Sequence, residues 1–304
     1  MVKVMTSEKV FYETVRSGME TVLGNPYVCE VQQIVKVNMT LDGLIIHEQG
    51  NNVSPTIYLN QYFGEYQSGK RMDEIIQEIL LVYESTRHGK KVFGAKDMFD
   101  YDRIRKNVIL KVINTERNID LLRTVPHVRM DGLGLSAIFY VPVQLDSEAA
   151  AGFMIQNRHM ELWKLHMEEL LNDAKRNMKE KIQFVVRSME EILMNDFNEN
   201  IEGVPEGASG MYVLSDEPTR RFGASCMFQK DAIAKFANAK ECDLIILPSS
   251  ICELILLPAD LPAIDVSDLQ KMVHAVNQEQ VAPEEFLSDD VFKYIRSEDK
   301  IVKL

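Results

Sequence analysis

The sequence is poor in cysteine, and its cysteines show none of the spacings that bind metal or perform disulfide exchange. The four are Cys29, Cys226, Cys242 and Cys252, and no C-x-x-C pair occurs among them. Three of them stand among apolar neighbours, as buried free thiols do, whereas Cys242 is flanked by charged residues. The pattern favours free thiols.

A secretion signal and long hydrophobic runs are also missing. The residues from Met1 to Thr6 lack the apolar core of a signal peptide. The longest apolar runs are the length of a strand, such as Leu244 to Leu247, and are too short to span a bilayer. We therefore expect a cytoplasmic protein that does not associate with membranes.

Positive charge is in deficit. Lys and Arg total 34 against 46 Asp and Glu, which gives a formal net charge of −12. Such a field repels phosphate backbones, so direct nucleic-acid binding is not expected. The richest basic stretches, 103–106 and 175–181, are interleaved with acidic residues and are typical of solvated helix faces.

Recognisable motifs for catalysis and for ligand binding are missing as well. The chain contains no H-E-x-x-H, no phosphate-binding loop of the G-x-x-x-x-G-K-[ST] type and no G-x-S-x-G. The glycines of Asp131 to Leu135 precede a predicted strand rather than a helix, which favours a hairpin turn over a nucleotide cradle. We expect no metal and no cofactor, and the sequence leans against an enzyme.

Hydrophobic periodicity predicts an α+β fold. Apolar residues at three- and four-residue intervals predict helices from Ser7 to Leu23 and from Met72 to Thr86. Alternating polarity over Cys29 to Val37 and Leu41 to His47 predicts an antiparallel hairpin. Because short runs of strands and helices replace a regular βαβ alternation, we expect antiparallel or mixed sheets with packed helices.

Composition along the chain predicts two subdomains. The expected division places an N-terminal α+β region at 1–200, with a helical segment at 157–197, and a C-terminal α+β region at 211–304. The stretch 198–210 is rich in Gly, Asn and Glu and is predicted to be a loop or linker.

One stretch offers weak signs of nucleophilic chemistry. Ser249, Ser250 and Cys252 lie between two apolar runs, at the edge of a predicted strand. An active site there would need His274 or His127 as a base, and Asn114 is a further polar group of the candidate site. The alternative, a β-turn in which the serines bind local main-chain groups and Cys252 begins the next strand, is favoured.

Aromatic residues form the other notable pattern. Tyr58, Tyr62, Phe63 and Tyr66 would share one face of a helix, and Trp163 is the single tryptophan. A core position is the favoured interpretation for each of them. The alternative is a binding surface made of Tyr58, Tyr62, Tyr66 and Trp163, used for a partner or a small ligand.

Several short strings, taken together in order and spacing, resemble an uncharacterised family of gut anaerobic bacteria known as domain of unknown function 5688. They include Asn52 to Leu59, Val125-Pro126-His127, Asn157-Arg158-His159 with Trp163, Phe222 to Cys226, Leu247 to Ser250 and Gln280 to Glu284. The resemblance extends over nearly the whole chain. It implies a bacterial or mobile-element-borne cytoplasmic protein, and it implies no reaction.

The sequence thus favours a non-enzymatic factor that binds another protein. A regulator or inhibitor encoded by a phage or mobile element fits the charge of −12, because an acidic surface competes for basic nucleic-acid-binding surfaces. An enzyme of an unrecognised class near Ser249, Ser250 and Cys252 and a small-ligand sensor are the alternatives. Homo-oligomerisation is left open.

Overall fold

The structure is a computed structural model that describes residues 7–49, 54, 56–87, 100–142, 152–196, 209–217, 219–261 and 265–304. The chain divides into two compact units, residues 1–98 and residues 99–304. This division differs from the expected one at 198–210. Strands on both sides of that segment pair in one sheet of the second unit, and 198–208 lies outside the described residues.

The described residues of the first unit form three helices and a three-stranded antiparallel sheet of order β1-β2-β3. The helices are α1 (Glu8–Leu23), α2 (Asn60–Gln67) and α3 (Met72–Arg87), and the strands are β1 (Tyr27–Lys36), β2 (Met39–Glu48) and β3 (Thr56–Tyr58).

Helix α1 begins and ends where its sequence predicts. The Ser7 side chain accepts a hydrogen bond from the Val10 N–H, which satisfies one of the unpaired donors of the first turn. Gly24 ends the helix with a positive φ of 65°, a conformation that glycine adopts without steric cost. The face at three- and four-residue spacing is buried and consists of Phe11, Tyr12, Val15 and Met19.

The predicted hairpin of β1 and β2 is confirmed. The two strands pair from Tyr27 opposite Glu48 to Lys36 opposite Met39. Asn38 lies in the connecting turn at a φ of 63°, in the left-handed region that asparagine tolerates better than most residues. One face of the hairpin packs in the core of the unit, with Cys29, Leu44, Ile46 and the α3 residues Ile75, Ile79 and Tyr83.

Two antiparallel sheets are formed by the described part of the second unit. One has the order β4-β6-β5 with β7 also paired to β6, and the other has the order β13-β12-β10-β11-β9-β8. The strands are β4 (Ile109–Asn114), β5 (His127–Met130), β6 (Leu135–Pro142), β7 (Gly152–Met154), β8 (Gln183–Ser188), β9 (Tyr212–Glu217), β10 (Leu244–Leu247), β11 (Glu253–Pro258), β12 (Phe292–Ile295) and β13 (Lys300–Lys303).

Eight α-helices of the described chain accompany these sheets. They are α4 (Tyr101–Ile104), α5 (Ile119–Leu122), α6 (Asn157–Trp163), α7 (Met167–Lys181), α8 (Met189–Asp196), α9 (Cys226–Gln229), α10 (Asp231–Lys240) and α11 (Val266–Glu279). Within the described ranges, no helix has the length and apolar character needed to cross a membrane. The predicted α+β class with antiparallel sheets is confirmed.

The predicted helical segment at 157–197 needs one correction. It contains the strand β8, which separates α7 from α8. The apolar run of Phe184, Val185 and Val186 suits a strand, since β-branched and aromatic side chains pack well on a pleated surface. Pairing with β9 along its whole length stabilises β8 as an edge of the large sheet.

Buried polar side chains bind helix α7 to the segment 101–108 of the same unit. Asp173 is 2% exposed, accepts a hydrogen bond of 2.9 Å from the Tyr101 hydroxyl and lies 3.1 Å from the Arg105 guanidinium. Asn177 donates to the Val108 carbonyl at 2.8 Å. These partners satisfy polar groups that would otherwise be costly to bury.

Candidate functional site

The stretch from Ser249 to Cys252 forms a tight connection between β10 and β11. The Ser249 N–H donates to the Leu247 carbonyl at 3.0 Å, and the Ser250 N–H donates to the Glu253 carbonyl at 3.2 Å. The Ser250 hydroxyl oxygen accepts the Cys252 N–H at 3.0 Å. The Ser250 side chain therefore binds the main chain of its own turn, whereas the Ser249 side chain is hydrogen-bonded to the Glu253 carboxyl.

The Cys252 thiol is held in its protonated form. Burial, together with the nearby Glu285 carboxylate, raises the pKa of this thiol to about 12, although Lys111 acts in the opposite direction. The Cys252 sulfur lies 3.8 Å from Glu285 Oε1. Because the thiolate is the reactive form of cysteine, this side chain is a poor nucleophile at neutral pH.

Asn114 lies at the end of β4 and fastens it to the segment that contains Glu285. Its Nδ2 donates to the Leu287 carbonyl at 2.9 Å, and its Oδ1 accepts the Arg117 N–H at 2.9 Å. The structure thus brings Asn114 and Cys252 to the same segment, 285–287. Each has its own partner there, and Asn114 is engaged in main-chain contacts.

His127 opens β5 and is engaged elsewhere. Its Nδ1 lies 3.1 Å from the Val125 carbonyl, and its ladder partner is Ile138. Across the described chain, no hydrogen bond joins this imidazole to the two serines or to Cys252. A general base must reach its nucleophile directly or through one water, and this geometry offers no such pair.

A buried carboxylate beside this turn was not singled out from the sequence. Asp216 is fully buried at the end of β9, where it accepts the Arg221 N–H at 2.7 Å and hydrogen bonds from the Phe222 N–H and the Thr219 hydroxyl. The sequence Asp216-Glu217-Pro218-Thr219 carries the signal of a turn opened by aspartate. Every acceptor contact goes to the following loop, so Asp216 shapes that loop.

Gly223 brings the same loop against the Cys252 turn. Its N–H donates to the Cys252 carbonyl at 3.0 Å. A Cβ at this position would stand 2.2 Å from that carbonyl oxygen, so only glycine permits the approach.

The three tyrosines of the predicted stripe lie in different local surroundings. Tyr58 lies in β3 and not in a helix, with Lys36 Nζ 3.9 Å above its ring. Tyr62 is buried, and Tyr66 packs on the core with its ring centroid 5.1 Å from that of Phe11. The expected helical stripe fails at Tyr58, because a strand turns alternate side chains to opposite faces.

Trp163 lies in the second unit, at the end of α6. Its ring stands between those of Tyr101 and His159, with centroids 5.3 Å from each. Burial lowers the pKa of His159, aided by the neighbouring Arg158, so this imidazole is neutral at physiological pH. The arrangement is that of a half-buried aromatic stack.

The outer edge of β1 was also not found from the sequence. Asp42, the ladder partner of Gln33, directs its N–H to Asn60 Oδ1 at 2.9 Å and its carbonyl to the Leu59 N–H at 2.8 Å. Both groups of Asp42 point away from β1, so its pair with Gln33 is not hydrogen-bonded. The main-chain groups of Gln33 therefore point outward, and those of Val31 and Val35 follow by alternation.

Helix α1 closes only the beginning of this edge. The Tyr27 N–H donates to the Gly24 carbonyl, and the Cys29 N–H donates to Glu20 Oε1, both at 3.0 Å. Farther along, no partner within the described chain reaches the outward main-chain groups. We call these groups, on Val31, Gln33 and Val35, the β1 edge.

The β1 edge lacks the protections usual for such strands. Edge strands are commonly short, charged, kinked or interrupted by proline. Here the strand is 10 residues long, and the sequence from Val31 to Val35 contains neither charge nor proline. Gln33 is exposed, and Val35 is 37% exposed. An accessible row of main-chain donors and acceptors results.

Fold and contacts together define a two-unit α+β protein. Its second unit contains the polar turn Ser249 to Cys252, in which the thiol is protonated and the polar groups are hydrogen-bonded. Its first unit contains the accessible β1 edge. A family model described as a family of unknown function (DUF5688) matches residues 8–296. The chain belongs to this family, as its resemblance predicted. No curated protein and no solved structure matches the chain.

Proposed function

We propose that this protein is a non-enzymatic bacterial factor of the cytoplasm that binds other protein through the β1 edge. The observation that supports the proposal is the row of outward main-chain groups on Val31, Gln33 and Val35. An extended segment laid along such an edge gains main-chain hydrogen bonds, while its side chains give selectivity. Strand addition is the binding mode that this geometry favours.

The contacts of the polar turn support a role other than catalysis. The pKa of Cys252 is raised to about 12, chiefly by burial, and the side chains of Ser249 and Ser250 are hydrogen-bonded to the Glu253 carboxyl and to the main chain of the turn. His127 contacts the Val125 carbonyl instead of a nucleophile. Among the described residues of this candidate site, these contacts leave no group activated to attack a substrate.

The charge of the chain indicates the kind of partner. A net charge of −12 attracts basic protein surfaces and increases the rate of encounter with them. We include in the proposal a regulatory role, as a phage- or mobile-element-encoded inhibitor that competes for a basic nucleic-acid-binding surface. The β1 edge would provide the short-range contacts of such a complex.

A comparison of three immobilised forms of the full chain tests the proposal. The forms are wild type, Gln33→Pro and Gln33→Thr, each exposed to lysate of a host bacterium. Proline removes the outward N–H of residue 33 and places its ring on the edge. It removes no hydrogen bond between β1 and β2, because that N–H does not point to β2. Threonine keeps the N–H and suits a strand, so it is the matched control.

The expected result is a protein retained by wild type and by Gln33→Thr and lost from Gln33→Pro. Purification of that protein and titration against the three forms should then give a Kd at least about ten-fold weaker for the proline variant. Equal retention by all three forms, or no retained protein, would refute the proposal. Thermal unfolding of each form verifies that the variants are folded.

A further inference from the structure

We infer that the occupant of the β1 edge is a second copy of this chain, paired antiparallel through β1 with Gln33 on the two-fold axis. The inference rests on the proposed use of this edge for strand addition and concerns the free protein, in which a second copy occupies the edge until the protein captured from the lysate displaces it. Two identical strands form an isologous contact, in which each residue faces the partner position fixed by the axis.

The positions of the outward main-chain groups select the register. Gln33 is the middle of the three residues of the β1 edge. A two-fold axis at Gln33 places Gln33 of one copy opposite Gln33 of the other. It also places Val31 of each copy opposite Val35 of the other copy. These are the hydrogen-bonded positions of an antiparallel pair, so about six main-chain hydrogen bonds form, two for each pair.

The charges next to the edge are complementary in the same register. Glu30 and Lys36 stand at equal distances along the chain from Gln33, on the opposite side of the strand from the core. The axis therefore places Glu30 of each copy opposite Lys36 of the other. Opposite charges facing each other across a pair of strands stabilise it, whereas like charges destabilise it.

Both side chains are accessible for this exchange. Glu30 lies 3.7 Å from His47 Nε2, and the side chains of that pair are 53% and 48% exposed. Lys36 lies over the Tyr58 ring, with Nζ 3.9 Å from the centroid. Contacts so close to solvent are weak, so the side chains can turn toward the second copy at small cost.

Neighbouring registers fit less well. An axis at Gln32 sets Val35 opposite Cys29, whose N–H is already bound to Glu20. It also sets Lys36 opposite Val28. An axis at Ile34 sets Val31 opposite Val37, in the turn beyond the end of β1. Of the three axes, only the one at Gln33 places the three residues of the β1 edge opposite one another.

Charge reversal of the full chain tests the pairing by sedimentation equilibrium. Glu30→Lys sets like charges opposite each other at both symmetric positions, and Lys36→Glu does the same. Each variant should weaken the dimer by about ten-fold, whereas the variant carrying both changes should return to within about three-fold of wild type. A wild-type chain that stays monomeric at about 100 μM, or a double variant without recovery, overturns the inference.

Cysteine cross-linking tests the register. Opposed residues of a hydrogen-bonded antiparallel pair have Cα atoms about 5.5 Å apart, within the range of a disulfide. Gln33→Cys should therefore give a covalent dimer under mild oxidation, and Gln32→Cys, which would face Ile34 of the second copy, should give much less. Wild type reports any background from its own four cysteines. Equal yields from both variants contradict the register.

The failure of this inference differs from failure of the proposed function. If wild type is monomeric and retains a lysate protein that the Gln33→Pro form does not retain, self-pairing is rejected and strand addition to another protein is supported. A dimer that persists in the Gln33→Pro form rejects the β1 edge as the interface of the two copies. Both readouts use the same folded variants.

Discussion

The polar turn of the second unit is less reactive than its sequence suggests, whereas the β1 edge of the first unit is more available for binding than its sequence suggests. The turn contains Ser249, Ser250 and Cys252, and Asn114 and His127 are its predicted partners. In the structure these groups are hydrogen-bonded to other partners or kept protonated. The β1 edge runs through Val31 to Val35, whose side chains have no reactive group, and its outward main-chain groups are accessible.

The difference teaches that reactive residue types are a weaker guide than the balance of donors and acceptors. Buried polar groups in folded proteins are nearly always paired, so a serine or aspartate inside a turn most often serves that turn. Main-chain groups on an edge strand have no such local partner. They are left for solvent or for another chain.

The largest expected effect tests whether Asp216, the buried carboxylate beside the polar turn, is structural. Asp216→Ala removes a buried acceptor and leaves the N–H groups of Arg221 and Phe222 without it. We expect a loss of about 3–5 kcal/mol in the free energy of unfolding, measured by urea denaturation. Asp216→Asn keeps one acceptor oxygen and should lose less. A loss below about 1 kcal/mol for alanine would contradict a structural role.

The second effect compares two prolines on neighbouring positions of β1. Gln32 directs its N–H to β2, because its neighbour Gln33 directs its own outward. Gln32→Pro should therefore cost about 3 kcal/mol in stability, and Gln33→Pro should cost less than about 1 kcal/mol. Chemical denaturation of both variants measures the difference. Equal losses would show that the assignment of inward and outward groups is wrong.

A smaller effect concerns the reactivity of Cys252. Since burial raises the pKa of this thiol to about 12, its alkylation should be slow at neutral pH and should still rise about ten-fold per pH unit up to the limit of native stability. Mass spectrometry of the labelled peptides separates Cys252 from the other thiols. A rate that levels off near pH 8 would identify an activated thiol and revive the enzyme hypothesis.

The smallest effect is a pH dependence of stability at Glu253. Burial raises the pKa of this carboxyl, against the lowering effects of the Ser249 side chain and Arg220. A group with a raised folded pKa favours folding at low pH and loses that contribution as pH rises through the folded value. Glu253→Gln should thus raise Tm by about one or two degrees at pH 7 and leave it unchanged near pH 4. Serine at 249 replaced by alanine should enlarge the difference.

Local structure was largely predictable. Helix α1 with its Ser7 cap, helix α3 and the β1–β2 hairpin follow from periodicity and turn residues, because these signals act within a few residues of the chain. Strand β8 was missed, since its short apolar run becomes a strand only beside β9. The pairing of β8 with β9 across 198–210 is likewise a long-range contact, which composition along the chain does not reveal.

For the candidate sites, the sequence by itself determined the acidic charge, the scarcity of cysteine and the lack of catalytic motifs, all of which are local or additive properties. Tertiary structure alone decided that Cys252 is half-buried beside Glu285, that Tyr62 belongs to the core and that β1 lies at the edge of its sheet. The physical reason is that burial and pairing depend on residues distant in the chain. Alternation predicts a strand, whereas only the fold decides which of its sides is left without a neighbour.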